Sequence, residues 1–171
     1  STLRETGRTG YDNRFVLLFN QQHFWLEFKQ LLLEELLLQS MSKINFAFTE
    51  AIHKQQKLSL KLEILLVSDV DEYAISPHTD AASRLLTMIF IYLTTIIKAY
   101  GTSFYSPKDK NLRCNGNAHH PKEQFSLAET LPFSPNSLLI FPRTDTSFHG
   151  VEKLSGLNNK TRSSLICIIK A

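Results

Sequence analysis

The chain has 171 residues, of which 43% are hydrophobic and 20% are charged, a composition typical of one soluble globular domain with a sizeable core. Its net charge of +3 comes from basic residues that are scattered along the sequence. Because a nucleic-acid-binding surface needs basic residues clustered on one face, we expect no nucleic-acid partner.

Export and membrane signals are not visible in the sequence. The chain does not start with a basic segment followed by an apolar run, so we predict no signal peptide. The apolar segment 31–38 contains Glu34 and Glu35, which make it too short and too charged to span a bilayer. Cys114 and Cys167 lie far apart without a CxxC motif, which predicts no disulfide framework. We therefore expect a cytoplasmic protein with no membrane partner.

The first third of the chain is predicted to hold a flexible lead-in, a strand and two helices. Residues 1–13 are polar and contain two glycines, and residues 14–19 form a short apolar run that predicts a strand. A helix is predicted from about Gln21 to Met41, and Ser42 is a candidate cap for a second helix. The apolar residues of the first helix recur at helical spacing: Phe24, Phe28, Leu31, Leu32 and Leu36.

The rest of the chain has the pattern of a β-protein. Apolar residues alternate with polar ones from Leu58 to Leu66, which predicts a half-buried strand. Seven further short apolar runs are separated by turn residues and lie at 73–75, 85–93, 102–105, 125–131, 137–141, 147–151 and 163–169. Eight strands after two helices indicate a mainly β fold with N-terminal helices, in which a jelly roll packs on a helical layer.

Nothing in the pattern divides the chain, so we predict a single domain over 1–171. Residues 1–57 would supply the N-terminal strand and helices, and residues 58–171 would form the β core. The loop from Ser106 to Gln124 is long, and long loops in compact domains often cover or line a binding site.

Three residues of the second half form a candidate iron site. His78 and Asp80 are two positions apart, so in an extended chain both side chains point to the same side. His149 lies far along the sequence, but a jelly roll brings distant strands together. Two histidines and one carboxylate that leave open metal positions are the ligand set of non-haem Fe(II) oxygenases. The alternative is a surface HxD pair with an unrelated histidine in a turn.

Two residues of the last strand form a candidate anion site. Arg162 and Ser164 share one face of the strand-like run 161–169, and a buried arginine needs a negatively charged partner. A dicarboxylate could supply that partner through a bidentate pair with the guanidinium and a hydrogen bond from the serine. The opposite face of this strand is also apolar, so the alternation leaves open whether Arg162 points inward or reaches solvent.

Taken together, the segment from Tyr73 to Ala171 resembles the catalytic half of the 2-oxoglutarate/Fe(II) oxygenase superfamily, and is closest to its prolyl-hydroxylase-like branch. The matching stretches are ISPHTDAASRLLTMIFIYL (75–93), SLLIF (137–141), SFHGVEKL (147–154) and TRSSLICII (161–169). The resemblance implies a double-stranded β-helix that holds Fe(II) on His78, Asp80 and His149. It also implies 2-oxoglutarate and O₂ as co-substrates, with the far carboxylate of 2-oxoglutarate on Arg162 and Ser164.

A tyrosine, one departure and one feature that favours hydroxylation also concern this resemblance. Tyr92 stands where relatives can place a tyrosine near the 2-oxoglutarate carboxylate, although a core aromatic is an equal alternative. Relatives often carry a glycine pair where only Gly101 stands here. Asp80 is present where halogenating relatives have a small residue, which favours hydroxylation.

Other polar residues have plainer interpretations. Cys114, His119 and His120 match no standard zinc spacing, so a solvated loop or the wall of a substrate entrance is favoured over a second metal site. Arg84 could contact an anionic substrate, but a surface position is favoured. Asp145 is interpreted as a turn residue rather than as a partner that orients His149. The acidic cluster Asp69, Asp71 and Glu72 is interpreted as a polar turn.

The resemblance and these residues therefore predict an Fe(II)- and 2-oxoglutarate-dependent dioxygenase that hydroxylates a small-molecule substrate and releases succinate and CO₂. A first alternative is a cupin-type metalloenzyme that does not use 2-oxoglutarate. A second is a jelly-roll binding module without activity.

Overall fold

In the computed structural model of the protein, the described residues are 3–5, 14–18, 27, 61–92, 100–116 and 118–170. The two predicted helices lie outside these residues, apart from Glu27, which is helical. Among the described residues, no helix has the length and apolar character needed to cross a membrane.

Ten strands make up the described fold. Their bounds are β1 Leu3–Glu5, β2 Arg14–Leu18, β3 Lys61–Asp69, β4 Ile75–His78, β5 Arg84–Ile91, β6 Ser103–Pro107, β7 Phe125–Thr130, β8 Ser137–Pro142, β9 His149–Val151 and β10 Arg162–Lys170. One turn of 3-10 helix, Lys122–Gln124, precedes β7. β1 lies inside the segment that was predicted to be a flexible lead-in, and that prediction is wrong for these three residues because they pair with β2.

The strands form two antiparallel sheets. The larger sheet has the order β1-β2-β3-β10-β5-β8, and the smaller has the order β4-β9-β6-β7. From β3 onward the chain passes between the sheets at every step except the one from β6 to β7, which both lie in the smaller sheet. This is the strand exchange of an eight-stranded jelly roll. The predicted mainly β fold is confirmed, and each of the eight predicted runs after residue 57 contributes a strand.

The end of β3 differs from the prediction. The alternating pattern predicted a strand that ends at Leu66, but β3 continues to Asp69 because its last residues pair with the start of β10. Asp69 is fully buried and lies opposite Arg162. The interpretation of Asp69 as part of a polar turn is therefore wrong, and its carboxylate belongs to the interior.

Both faces of the central strands β5 and β10 are covered. On one face, an apolar cluster joins β3, β5 and β10 and consists of Ile64, Leu86, Met88, Cys167 and Ile169. On the other face, Thr87, Ile89, Ser164 and Ile166 line a cavity. This explains why the alternation in β10 could not tell which face carries the polar site: burial on both sides makes both faces apolar.

Candidate metal centre

The three predicted iron ligands come together at the meeting point of β4 and β9. His78 is the last residue of β4, His149 is the first residue of β9, and the two are direct cross-strand partners. Asp80 follows His78 by two positions. One ligand atom from each residue lies within 4.8 Å of the other two, and no other trio of this kind occurs among the described residues. The arrangement could hold a metal ion.

The two imidazoles are oriented in the same way. Nδ1 of His78 lies 3.0 Å from the carbonyl oxygen of Ser76, and Nδ1 of His149 lies 3.0 Å from the carbonyl oxygen of Ser147. A carbonyl only accepts, so each Nδ1 carries the hydrogen and each Nε2 presents its lone pair. Hydrogen bonds of this kind fix the tautomer and ring orientation of histidine ligands.

The environment also keeps both imidazoles neutral. Burial, and then the neighbouring His149, lower the pKa of His78 to about 3. Burial likewise lowers the pKa of His149 below its ordinary value. Metal ligation needs the neutral form of histidine, so both side chains are in the ligating state at neutral pH.

Asp80 is held at both of its carboxylate oxygens. Arg84 donates from Nη1 to Oδ1 at 2.6 Å, and Thr87 donates from Oγ1 to Oδ2 at 2.7 Å. Burial raises the pKa of this carboxyl, but His149, Arg84 and the Thr87 hydrogen bond outweigh burial and lower it overall. Asp80 is therefore ionised. The interpretation of Arg84 as a surface residue is wrong, because its side chain is only 31% exposed and pairs with Asp80.

A cavity of about 140 Å³ connects this trio to the last strand. Its polar lining consists of His78, Asp80, Arg84, Thr87, Thr102, His149, Arg162 and Ser164. Its apolar lining consists of Ile75, Ile89, Phe141, Val151 and Ile166, with Gly150 between the two sets. The predicted metal ligands and the predicted anion-binding residues therefore face the same enclosed space.

Arg162 has partners within the protein. Its Nη1 donates to Oδ2 of Asp69 at 2.6 Å, its Nε donates to the carbonyl oxygen of Tyr100 at 2.6 Å, and its guanidinium lies 4.7 Å from the centre of the Phe133 ring. Asp69 therefore supplies the negatively charged partner that a buried arginine needs, so the burial of Arg162 does not by itself require a bound dicarboxylate.

Ser164, unlike Arg162, has an unsatisfied polar group. Its hydroxyl is fully buried, lines the cavity and has no hydrogen-bond partner among the described residues. A buried hydroxyl without a partner costs free energy, on the order of 1–3 kcal/mol. The cavity thus contains one polar group that a ligand would satisfy.

Tyr92 does not line this cavity. It follows the end of β5 at Ile91, it is 49% exposed, and its phenol bonds to Ser163. Burial raises the pKa of the phenol above its ordinary value. Successive residues of a strand point to opposite faces, so Ser163 and Ser164 face opposite sides of β10. The described geometry does not bring Tyr92 to the predicted carboxylate.

The long loop packs against the candidate metal ligands. The carbonyl oxygen of Cys114 accepts a hydrogen bond from Thr79 at 2.8 Å and another from Arg143 at 3.3 Å. Arg143 also donates to the carbonyl oxygen of Asp80 at 3.1 Å. Gly116 has a φ of +85°, and a Cβ at this position would lie 2.3 Å from the same Asp80 oxygen. Only glycine allows this close approach.

The remaining candidates of this region have structural roles. The ring of His119 stacks on His78 at 4.6 Å, and the ring of His120 packs against Phe125 and Phe148. Among the described residues, Cys114 does not join them in a second metal cluster. Asp145 pairs with Arg143 at 2.7 Å and is 55% exposed. It does not orient His149, whose Nδ1 is held by Ser147.

Sequence reasoning missed Thr87 and Arg143 as residues around the metal ligands. Thr87 had a visible signal, since it is a hydroxyl residue in the middle of the apolar run 85–93, on the same face as Ile89. Arg143 had no such signal, because its contacts depend on how two distant loops meet.

Comparison with known proteins supports the fold alone. No family model matches the chain, and no curated protein matches it. A crystal structure of a prolyl-4-hydroxylase from Pseudomonas putida is similar with a TM-score of 0.51 and 13% identity, over 98% of this chain and 77% of that chain. An RmlC-like cupin protein from Desulfovibrio desulfuricans aligns over 66% of this chain and 74% of that chain, with 11% identity and a TM-score of 0.32. The chain therefore has a jelly-roll fold similar to that of the prolyl-4-hydroxylase structure, together with a trio of residues that could bind a metal.

Proposed function

We propose that this protein is an Fe(II)- and 2-oxoglutarate-dependent dioxygenase that hydroxylates a substrate and releases succinate and CO₂. The observation that carries the proposal is one cavity that contains both the trio His78, Asp80 and His149 and the unsatisfied hydroxyl of Ser164. The fold similarity to a prolyl-4-hydroxylase is consistent with this activity.

The donor set fits Fe(II). Two neutral imidazoles and one carboxylate supply three protein ligands, and a site of this composition leaves metal positions open for other ligands. His78 and His149 would bind through Nε2, since each Nδ1 is engaged by a carbonyl. When bound, Fe(II) and 2-oxoglutarate would supply the oxidising chemistry with O₂ as the oxidant, and the protein would supply ligation, orientation and a dry pocket.

The charges around the cavity favour a dianionic co-substrate. The carboxylates of Asp69 and Asp80 formally cancel the guanidinium groups of Arg84 and Arg162. A divalent cation would therefore leave an excess of two positive charges in a buried space, which is costly without compensation. 2-Oxoglutarate carries two negative charges and would restore neutrality, whereas a neutral ligand would not.

Ser164 would bind the far carboxylate of 2-oxoglutarate. Its hydroxyl has no competing partner among the described residues, so it can donate to an incoming oxygen without breaking an existing bond. Arg162 is fixed beside it by Asp69 and Tyr100 and would share its positive charge between Asp69 and the ligand. The fixed guanidinium is thus already oriented before the co-substrate binds.

The substrate is proposed as a small molecule. The net charge of +3 and the scattered basic residues favour a small molecule over a nucleic acid. Residues 58–171 would form the catalytic core in this proposal, with 1–57 packed against it.

A second candidate is a cupin-type metalloenzyme that does not use 2-oxoglutarate. The observation in its favour is the ion pair of Arg162 with Asp69, which leaves the arginine balanced without any ligand. The two candidates share the metal site and differ in whether a dicarboxylate binds next to it.

Anaerobic titration with Fe(II) and then with 2-oxoglutarate, followed by visible absorption, separates these candidates. We expect a saturable metal-to-ligand charge-transfer band in the wild type and its loss in His149→Ala. Asp145→Asn is the matched control, since this exposed residue pairs with Arg143 and not with a ligand. Iron binding without the band would favour the cupin-type enzyme. Absence of iron binding would favour an inactive binding module.

A further inference from the structure

The two side chains that hold the Asp80 carboxylate differ in their freedom to move. Thr87 lies within β5, is buried, and donates to Oδ2. Arg84 is the first residue of the same strand, and its side chain is 31% exposed while that of Asp80 is 5% exposed. Arg84 can therefore turn away from the carboxylate without opening the core, whereas Thr87 cannot.

A cation at the trio would compete with Arg84 for the same negative charge. Arg84 donates to Oδ1 of Asp80 at 2.6 Å, so its guanidinium stands directly beside the ligand set. Two positive charges that share one carboxylate in a partly buried space repel each other more strongly than they would in water. Cation binding therefore weakens the electrostatic attraction that holds the Arg84 guanidinium at Asp80.

We infer that Arg84 is a metal-responsive latch, which pairs with Asp80 when the cation is absent and turns to an anionic ligand of the cavity when the cation is bound. The inference rests on the proposed function, because the anion is taken to be 2-oxoglutarate. Arg84 already lines the cavity that Ser164 and Arg162 also line, so only a side-chain rotation is required. Arg162 has no such freedom, since its side chain is 3% exposed and bonded to Asp69.

This role predicts that Arg84 affects cation affinity and anion affinity in opposite directions. Arg84 weakens cation binding, because the cation must overcome its charge, and it strengthens anion binding, because it then supplies a donor. It also imposes an order, in which the cation binds before the dicarboxylate. A residue that merely supported the fold would weaken both binding steps when replaced.

The test measures both affinities on the full chain by anaerobic calorimetric titration, first with Fe(II) and then with 2-oxoglutarate. Arg84→Gln removes the positive charge and keeps a hydrogen-bond donor for Asp80, so we expect the variant to fold. We expect it to bind Fe(II) about tenfold more tightly and 2-oxoglutarate about tenfold more weakly than the wild type. Arg84→Lys keeps the charge and is the matched control, with both affinities close to those of the wild type.

Thr87→Val supplies the contrast, because it removes the buried donor that orients Asp80. We expect it to weaken Fe(II) binding, opposite to Arg84→Gln. Weaker Fe(II) binding in Arg84→Gln would overturn the latch and make Arg84 a positioning residue of the same kind as Thr87. Unchanged 2-oxoglutarate binding in that variant would also overturn it.

The failure of the latch and the failure of the proposed function are distinguishable. If the wild type bound Fe(II) but no 2-oxoglutarate, the proposed function would be overturned, and the Fe(II) affinities would still decide whether Arg84 competes with the cation. If the wild type bound no Fe(II), both would be overturned.

Discussion

Two arginine–carboxylate pairs border the same cavity and have the same nitrogen–oxygen distance of 2.6 Å, yet they differ in burial. The pair of Arg162 with Asp69 is almost completely buried, at 3% and 0% exposure. The pair of Arg84 with Asp80 has one partly exposed member, Arg84, at 31%. Equal geometry therefore does not mean an equal role. A buried pair cannot exchange partners without leaving a charge unpaired, whereas a half-exposed pair can.

The largest effect is expected when the buried pair of Arg162 with Asp69 is broken. Arg162→Met should destabilise the protein by about 3–5 kcal/mol, because it leaves the Asp69 carboxylate buried without its cation. Chemical denaturation of the metal-free protein measures the loss.

Two variants sharpen this result. Asp69→Asn added to Arg162→Met should recover part of the stability, since the uncompensated charge is removed. Arg84→Met is the matched variant for the partly exposed pair of Arg84 with Asp80. It should lower the free energy of unfolding by less than about 1 kcal/mol. Equal losses from Arg162→Met and Arg84→Met would contradict the contrast between the two pairs.

The second expected effect is a loss of stability at acidic pH, which arises from the histidines of the candidate metal site. The folded-state pKa of His78 is about 3, against an ordinary value of 6.5, so between these values the unfolded chain binds a proton that the folded chain does not. Stability should therefore fall as the pH drops from about 6.5 towards 3, by up to ~1.4 kcal/mol per pH unit for one proton. His149, whose pKa is also lowered, steepens the fall.

Denaturation midpoints of the metal-free protein across this pH range measure the slope. His78→Asn removes one titrating group and should flatten the curve. The lowered pKa of Asp80 adds a further loss at more acidic pH, below the ordinary value of 3.8. A pH profile that is the same in the wild type and in His78→Asn would show that this histidine titrates normally in the folded protein.

The smallest expected effect concerns Ser164, which lines the cavity beside Arg162. Ser164→Ala should weaken 2-oxoglutarate binding roughly tenfold, which corresponds to ~1.5 kcal/mol, by removing one hydrogen bond to a carboxylate. It should raise the free energy of unfolding of the ligand-free protein by about 1 kcal/mol, because it removes a buried hydroxyl that has no partner among the described residues.

The neighbouring serine is the matched control for Ser164→Ala. The hydroxyl of Ser163 bonds to that of Ser68 at 2.8 Å, on the opposite face of β10. Ser163→Ala should therefore lower stability by about 1 kcal/mol and leave 2-oxoglutarate affinity unchanged. If the two variants behaved alike in the binding assay, Ser164 would not contact the co-substrate.

The sequence predicted those parts of the molecule that depend on local pattern. The alternation of β3 and the short apolar runs after it follow from sheet geometry, and each became a strand. The trio could be predicted because HxD fixes two ligands through chain geometry and few other histidines compete for the third place. The long loop was singled out by its length, and it lies beside the trio: the carbonyl oxygen of Cys114 accepts a hydrogen bond from Thr79, and Gly116 lies against the backbone oxygen of Asp80.

What escaped prediction depends on pairing between distant strands. The partner of Arg162 is Asp69, and only the register of β3 against β10 places them opposite each other. The partner of Asp80 is only four residues away, but Arg84 was not recognised because the turn that brings it back has no strong signature. Tyr92 was placed in a strand by its apolar neighbours, yet β5 ends one residue earlier.

The contact between β4 and β9 has a consequence for the mechanics of the smaller sheet. The two strands have four and three residues, and their register is recorded only at Ile75 with Val151 and at His78 with His149, with an irregularity between. So short a pairing leaves few backbone hydrogen bonds between the two strands. A cation bound by both His78 and His149 would join the strands on the cavity side, and it would stabilise their contact because it binds only the folded arrangement.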